Sequence, residues 1–182
     1  MGLSAVALGA CGAHAGSRAS GGSRASSQSS QRGALASYFR QVDPIRLAVN
    51  RLLEGADPIL EAYTKHTISP AKASARMGEL EFKFASYAVD IAAVKPAMPA
   101  LGALHAEYAH TYILEDSYLS ALTAGLAHRE LGDLPDTQAV QRAAIIQWRT
   151  GLEVLAREAH ATLPADLQQA GRGELRPFPG TS

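Results

Sequence analysis

The sequence has little cysteine, few aromatic residues and no excess of either charge. Its one cysteine, Cys11, excludes an internal disulfide and a metal cage built from several cysteines. The 17 basic and 17 acidic residues balance, so no basic excess favours nucleic acid or an acidic membrane surface. No apolar run approaches the roughly 18 residues that a membrane-spanning helix needs. We therefore expect no nucleic-acid partner and no spanning helix.

Alanine and leucine are abundant, whereas β-branched residues are few, so helix is favoured over most of the chain. Amphipathic stretches separated by short polar joins predict an all-α fold, an up-and-down antiparallel four-helix bundle over residues 34–164. The Pro- and Gly-containing segment 165–182 is predicted to be a disordered tail.

The helix predicted over residues 99–129 organises the rest. Eight of its side chains are spaced by three and four and share one face, namely Leu101, His105, Tyr108, Tyr112, Glu115, Leu119, Leu122 and Leu126. The second half of this stripe is mostly leucine. The first half is polar or aromatic, which is unusual for a face that points towards a core.

Residues 34–42 could form a short helix or the first turns of a longer one. Asp43 and Pro44 predict a helix start, with Asp43 as the N-cap. The apolar period of this helix continues past Gly55 and Pro58, so either one helix bends there or two short helices meet. The unbroken phase favours the bent helix. Ser69 followed by Pro70 predicts the start of the next helix.

The last long helix is predicted to be capped by Asp136 or Thr137 and to run to about Thr162. Its apolar stripe includes Trp148. Large residues at helical spacing are far more often core than part of a cofactor site.

The first residues suggest where in the cell the protein is located. A short apolar stretch leads to Leu8, Gly9, Ala10 and Cys11, and a Gly/Ser-rich segment follows to Gly33. This pattern resembles the lipobox of bacterial lipoproteins. The resemblance implies a signal peptide over residues 1–10, cleavage before Cys11, and lipidation of Cys11 on the outer face of the membrane. Residues 11–33 would then be the lipidated cysteine and a flexible tether.

The pattern departs from a full secretory signal, which has a basic segment and an apolar stretch of about 7–15 residues. No Lys or Arg precedes Cys11, and the apolar stretch is short. We interpret the signal peptide as truncated at its start. The alternative is a cytoplasmic leader in which the cysteine has no such role.

The polar half of the long helix is the candidate site. His105, Tyr108, Tyr112 and Glu115 would line a polar pocket for a small ligand or a metal. Alternatively the stripe drifts off the core, and Glu115 pairs with Lys83 or Arg149. His105 and Glu115 are roughly 15 Å apart along the axis, so one small metal ion cannot bind both.

Other metal patterns are weak. Glu107 and His110 have the Glu-x-x-His spacing of di-iron bundles, but only one copy is clear and it lies off the apolar stripe. The remaining histidines form no i, i+4 pair. We predict no metal ligand and no cofactor.

These features predict a surface-anchored bacterial lipoprotein, held to the membrane by a lipid on Cys11. Its helical-bundle domain would bind a small ligand or a protein partner that the sequence does not identify. Two alternatives stay open. One is a metal-binding or enzymatic bundle that uses the face from His105 to Glu115. The other is a cytoplasmic helical protein that pairs as a homodimer through that face.

Overall fold

A computed structural model describes residues 19–172, with side chains from residue 25 onward. Every regular element in this part of the chain is a helix, which confirms the all-α prediction. The helices are α1 (Ala19–Leu53), α2 (Ala56–Thr64), α3 (Pro70–Ala93), α4 (Pro99–His128), α5 (Gln138–Glu158) and α6 (Ala165–Gln168). None of them combines the length and the apolar character that crossing a bilayer requires. Cys11, the predicted signal peptide at 1–10, and residues 11–18 and 173–182 lie outside the described residues.

The prediction that the other helices pack around α4 is confirmed for α3 and α5 only, because α1 and α2 pack mainly on α3. Helix α4 makes its most extensive contacts with α3 and the next most extensive with α5, while α1 packs on both α3 and α5. The helix ends at Arg129, which is left-handed with φ 62°, and the Glu130 N–H donates to the Gly125 carbonyl at 2.9 Å. The chain turns so tightly here that a Cβ on Gly125 would lie 2.6 Å from the Glu130 carbonyl oxygen.

The predicted start of α3 is confirmed. Ser69 is extended (φ −74°, ψ 156°), and its hydroxyl accepts a hydrogen bond from the Lys72 N–H. Pro70 occupies the first helical position, where its missing N–H would have had no partner within the helix.

The predicted helix start at Asp43 and Pro44 is wrong, and the alternative in which residues 34–42 belong to a longer helix is correct. Helix α1 runs through Pro44 without a break, because side chains on both sides of it are buried in the core. Leu35 and Tyr38 lie before it, and Val49 lies after it. Asp43 does not cap a helix; its carboxylate accepts from Arg46 at 3.1 Å. Tertiary packing outweighs the local signal.

The predicted bend near Gly55 is also wrong, and the two-helix alternative is correct. Helix α1 ends at Leu53, a turn follows, and α2 begins at Ala56. The Gly55 N–H donates to the Leu52 carbonyl at 3.0 Å, which closes the turn. Pro58 falls in the first turn of α2, where a helix can accommodate a residue without an N–H.

The flexible tether predicted up to Gly33 is wrong for residues 19–33, which belong to α1. The Arg32 guanidinium donates to the Ala159 carbonyl at 3.2 Å and thereby holds this part of α1 against the end of α5. Once a helix is nucleated, each further residue adds a hydrogen bond at little additional entropic cost.

Residues 165–172, predicted to be part of a disordered tail, pack on the domain. Leu167 is fully buried. The Arg149 side chain donates to the Ala170 carbonyl at 3.0 Å, and that of Arg142 donates to the Gly171 carbonyl at 3.1 Å. Arginines on α5 therefore hold the polypeptide that follows it, which the composition of the segment did not indicate.

The last long helix is shorter than predicted. Helix α5 ends at Glu158 rather than near Thr162, because His160 is left-handed with φ 50°. Thr137 is its N-cap residue, as one of the two predicted options, but its side chain makes no capping hydrogen bond.

Candidate functional site

A buried chain of hydrogen bonds crosses the core and joins all four long helices. Trp148 Nε1 on α5 donates to the Tyr38 hydroxyl on α1 at 2.9 Å. The Tyr38 hydroxyl lies 3.1 Å from His105 Nδ1 on α4, and His105 Nε2 lies 3.0 Å from the Ile91 carbonyl on α3. All three side chains are at most 5% exposed.

The groups at the two ends of this series of hydrogen bonds determine which atom donates in each of them. Indole N–H can only donate and a carbonyl can only accept. The Tyr38 oxygen therefore accepts from Trp148 and gives its own proton to His105 Nδ1, so that Nε2 carries the imidazole proton. Burial lowers the pKa of His105, which keeps the ring neutral. Both ring nitrogens are thus occupied, and His105 has no free nitrogen for a ligand or a metal.

An aromatic stack extends from this chain along α4. The Tyr108 ring lies 4.0 Å from that of Trp148, centroid to centroid, and is nearly parallel to it at 10°. Tyr112 meets Tyr108 edge to face at 5.5 Å, and the two hydroxyls are 3.2 Å apart. Burial raises the pKa of both tyrosines, so both remain protonated.

A pocket of about 120 Å³ opens beside this stack, between α1, α3, α4 and α5. This is slightly smaller than the cavity of roughly 150 Å³ that can hold a benzene molecule. The walls are largely apolar and aromatic, formed by Val49, Leu53, Phe84, Tyr108, Tyr112 and Ile145. The polar groups that line the pocket come mainly from Thr111, Glu115 and Gln141, with Asn50 from α1. This mixture of apolar walls and a few polar groups is typical of small-molecule sites.

Among the described residues, Glu115 is the only acidic one that lines the pocket. Its Oε2 accepts a hydrogen bond from Gln141 Nε2 on α5 at 2.9 Å. Burial raises the pKa of this carboxyl above its usual range, and the hydrogen bond from Gln141 offsets only part of that effect. The ion pairs between the side chains of residues 25–172 do not include Glu115. No cation in that part of the chain therefore compensates its negative charge.

A second pocket of about 350 Å³ lies next to the first and shares Asn50, Tyr108 and Ile145 with it. Its wall includes the Arg46 side chain, which is 9% exposed. Two carboxylates, those of Asp43 and Asp166, bind this guanidinium. The only cation of the second pocket is thus already neutralised.

The structure divides the four predicted site residues. Tyr108, Tyr112 and Glu115 line the smaller pocket, whereas His105 belongs to the buried hydrogen-bond chain. Neither Lys83 nor Arg149 pairs with Glu115. Arg149 instead lies 3.5 Å from Glu153, one turn along α5.

Gln141 was not identified from the sequence. Nothing in its own helix marks it, because its role depends on α5 bringing it next to α4. Glu107 and His110 are exposed, as expected for residues off the apolar stripe. Within the part of the chain that the structure describes, no three His, Cys, Asp or Glu side chains group as metal ligands would.

Comparison with protein-family models, curated proteins and solved structures finds no match to this chain.

The buried hydrogen-bond chain generates a test. Tyr38→Phe removes the acceptor of Trp148 Nε1 and the donor to His105 Nδ1, both in the core. Each polar group left without a partner should lower the free energy of unfolding by about 1–3 kcal/mol. Chemical denaturation measures this loss.

Tyr87→Phe is the matched control, because Tyr87 is half-buried and outside this chain of hydrogen bonds. It should change stability by no more than about 0.5 kcal/mol. Equal effects of the two substitutions would show that the hydrogen bonds of Tyr38 do not contribute to stability.

Proposed function

We propose that this protein is a surface-anchored bacterial lipoprotein whose helical domain binds a small organic molecule in the pocket beside Glu115. Cys11 carries the lipid, which places the domain on the outer face of the membrane. The observation that carries the binding function is the pocket itself, a space with apolar walls into which one uncompensated carboxyl group opens.

The proposed domain is an antiparallel up-and-down four-helix bundle of α1, α3, α4 and α5. Its support is the pattern of contacts, since α3 and α5 each pack against both α1 and α4. In a ring of four neighbouring helices, side chains from every member meet at the centre. Ligand sites of bundles are commonly built in this way, from facing helices.

A binding site inside the domain accounts for the polar half of α4 better than a dimer interface does. His105, Tyr108 and Tyr112 are each 5% exposed within the single chain. They offer little surface to a second copy. The two buried tyrosine hydroxyls pair with each other, so Glu115 and Gln141 are among the polar groups that the pocket offers to a ligand.

The binding function is tested by filling the pocket. Ile145 lines both pockets, so Ile145→Phe adds ring volume where a ligand would lie. Amide NMR shifts of the unmodified protein, titrated with neutral, anionic and cationic fragments, should reveal compounds that perturb residues lining the pocket. Ile145→Phe should weaken their binding about tenfold or more, which is about 1.4 kcal/mol or more.

Val154→Phe is the control, since Val154 is also β-branched and on α5 but 42% exposed and outside both pockets. It should leave fragment binding unchanged. The absence of any fragment that perturbs the lining residues, or equal binding to Ile145→Phe, would contradict the proposed function.

The anchor is tested separately, by metabolic labelling with palmitate in a bacterial host. Expressed with a basic segment added before Met1, the chain should incorporate label and sediment with membranes, and the same chain with Cys11→Ala should do neither. No labelling of the extended chain, or equal labelling of its Cys11→Ala variant, would contradict the anchor and leave the pocket proposal standing.

A further inference from the structure

The chemistry of the pocket defines the class of ligand, an inference that rests on the proposed binding function. The ten lining residues include one acid, Glu115, and no Lys, Arg or His. We propose that the pocket binds a small organic ammonium ion, whose N–H groups donate to the Glu115 carboxylate while its carbon skeleton lies against the aromatic rings.

The Glu115 carboxylate has capacity for such a ligand. Gln141 donates to Oε2, and an ionised carboxylate can accept several hydrogen bonds through its two oxygens. Removing a carboxylate from water without a cation is unfavourable, and a bound ammonium ion supplies the missing opposite charge. Hydrogen bonds between ionised partners are also about twice as strong as neutral ones.

The rings favour the same ligand. Phe84, Tyr108 and Tyr112 line the pocket next to the carboxyl group. Phe84 and Tyr112 stack with centroids 5.7 Å apart at 26°. Aromatic faces attract cations, most strongly where water is excluded. A protonated amine thus gains from the rings as well as from the carboxylate, whereas an alcohol of the same shape gains a hydrogen bond to the carboxylate but no attraction between opposite charges.

An anionic ligand is disfavoured by the same surroundings. It would meet the Glu115 carboxylate in the smaller pocket. In the adjoining pocket it would meet Arg46, which Asp43 and Asp166 already neutralise. A metal ion is disfavoured because Glu115 has no second acidic or imidazole ligand among the residues that line the pocket.

Binding should depend on pH in a defined way. Below the pKa of Glu115, an ammonium ion must displace the carboxyl proton into water, so affinity should rise as pH increases through that pKa. It should fall again near the pKa of the amine, about 10 for an alkylamine such as the lysine side chain.

The other titratable groups near Glu115 do not interfere over this range. Those that line the pocket are Tyr108 and Tyr112, whose pKa values burial raises. Tyr118, on the same helix, also has a raised pKa, mainly through burial and partly through the Glu115 charge. Helices α1, α3 and α5 contribute no titratable side chain to the lining. Arg46 acts on the two tyrosines at longer range and stays charged.

The experiment compares amines with alcohols of the same skeleton. The probes are n-butylamine against 1-butanol, and benzylamine against benzyl alcohol, titrated into the full chain and followed by amide NMR near neutral pH. Each amine should bind at least about tenfold more tightly than its alcohol. Glu115→Gln, which preserves size and can still accept from Gln141, should remove most of this preference and leave only the smaller part that the rings contribute.

Glu107→Gln is the matched control, because Glu107 is on the same helix but exposed and outside the pocket. It should preserve the preference for amines. If amines and alcohols bind the wild-type pocket equally, or if Glu115→Gln keeps the whole preference, the ammonium proposal is wrong while pocket binding survives. If neither class perturbs the lining residues, both proposals are overturned.

Discussion

The stability of the domain depends on hydrogen bonds that pair the polar atoms of its buried aromatic and imidazole side chains. Trp148, Tyr38 and His105 each carry a polar atom into the interior, and one directional chain of hydrogen bonds pairs them all. The hydrogen-bond chain ends at the Ile91 carbonyl in the last turn of α3, which also accepts from the Val94 N–H at 3.2 Å. Since each member comes from a different long helix, displacement of any one helix leaves a buried donor or acceptor unpaired. Apolar packing alone would tolerate such displacement more readily.

Along one face of α4, the residues that stabilise the fold are distinct from the one that offers a charge to a ligand. His105 is fully used by the hydrogen-bond chain. Tyr108 is held flat against Trp148, and its hydroxyl pairs with that of Tyr112. Glu115, two turns beyond Tyr108, has only the Gln141 amide as its partner. The polar residues nearest the core thus form hydrogen bonds with partners inside the domain. Only the carboxyl group that opens into the pocket lacks an opposite charge among the described residues.

Features that arise within one helix could be predicted from the sequence, whereas contacts between two helices could not. The period of α4, its polar half and the Ser69 cap of α3 were all readable, because spacing and capping are local. Gln141 was not, since it becomes a partner of Glu115 only when α5 packs on α4. The continuity of α1 through Pro44 and the packing of Leu167 were missed for the same reason. In both cases local signals indicated a break or a loop, and burial against other helices outweighed them.

The pocket holds the Glu115 carboxyl group without a cation from the described residues to stabilise its charge. An NMR titration of the side-chain carboxyl carbon in the unliganded protein measures the consequence. We expect a midpoint above the ordinary value of 4.5. Because the folded-state pKa is raised, the protein should also lose stability as pH rises through that midpoint. A midpoint at or below 4.5 would show that a positive charge or further hydrogen bonds already stabilise the carboxylate, and would contradict the account.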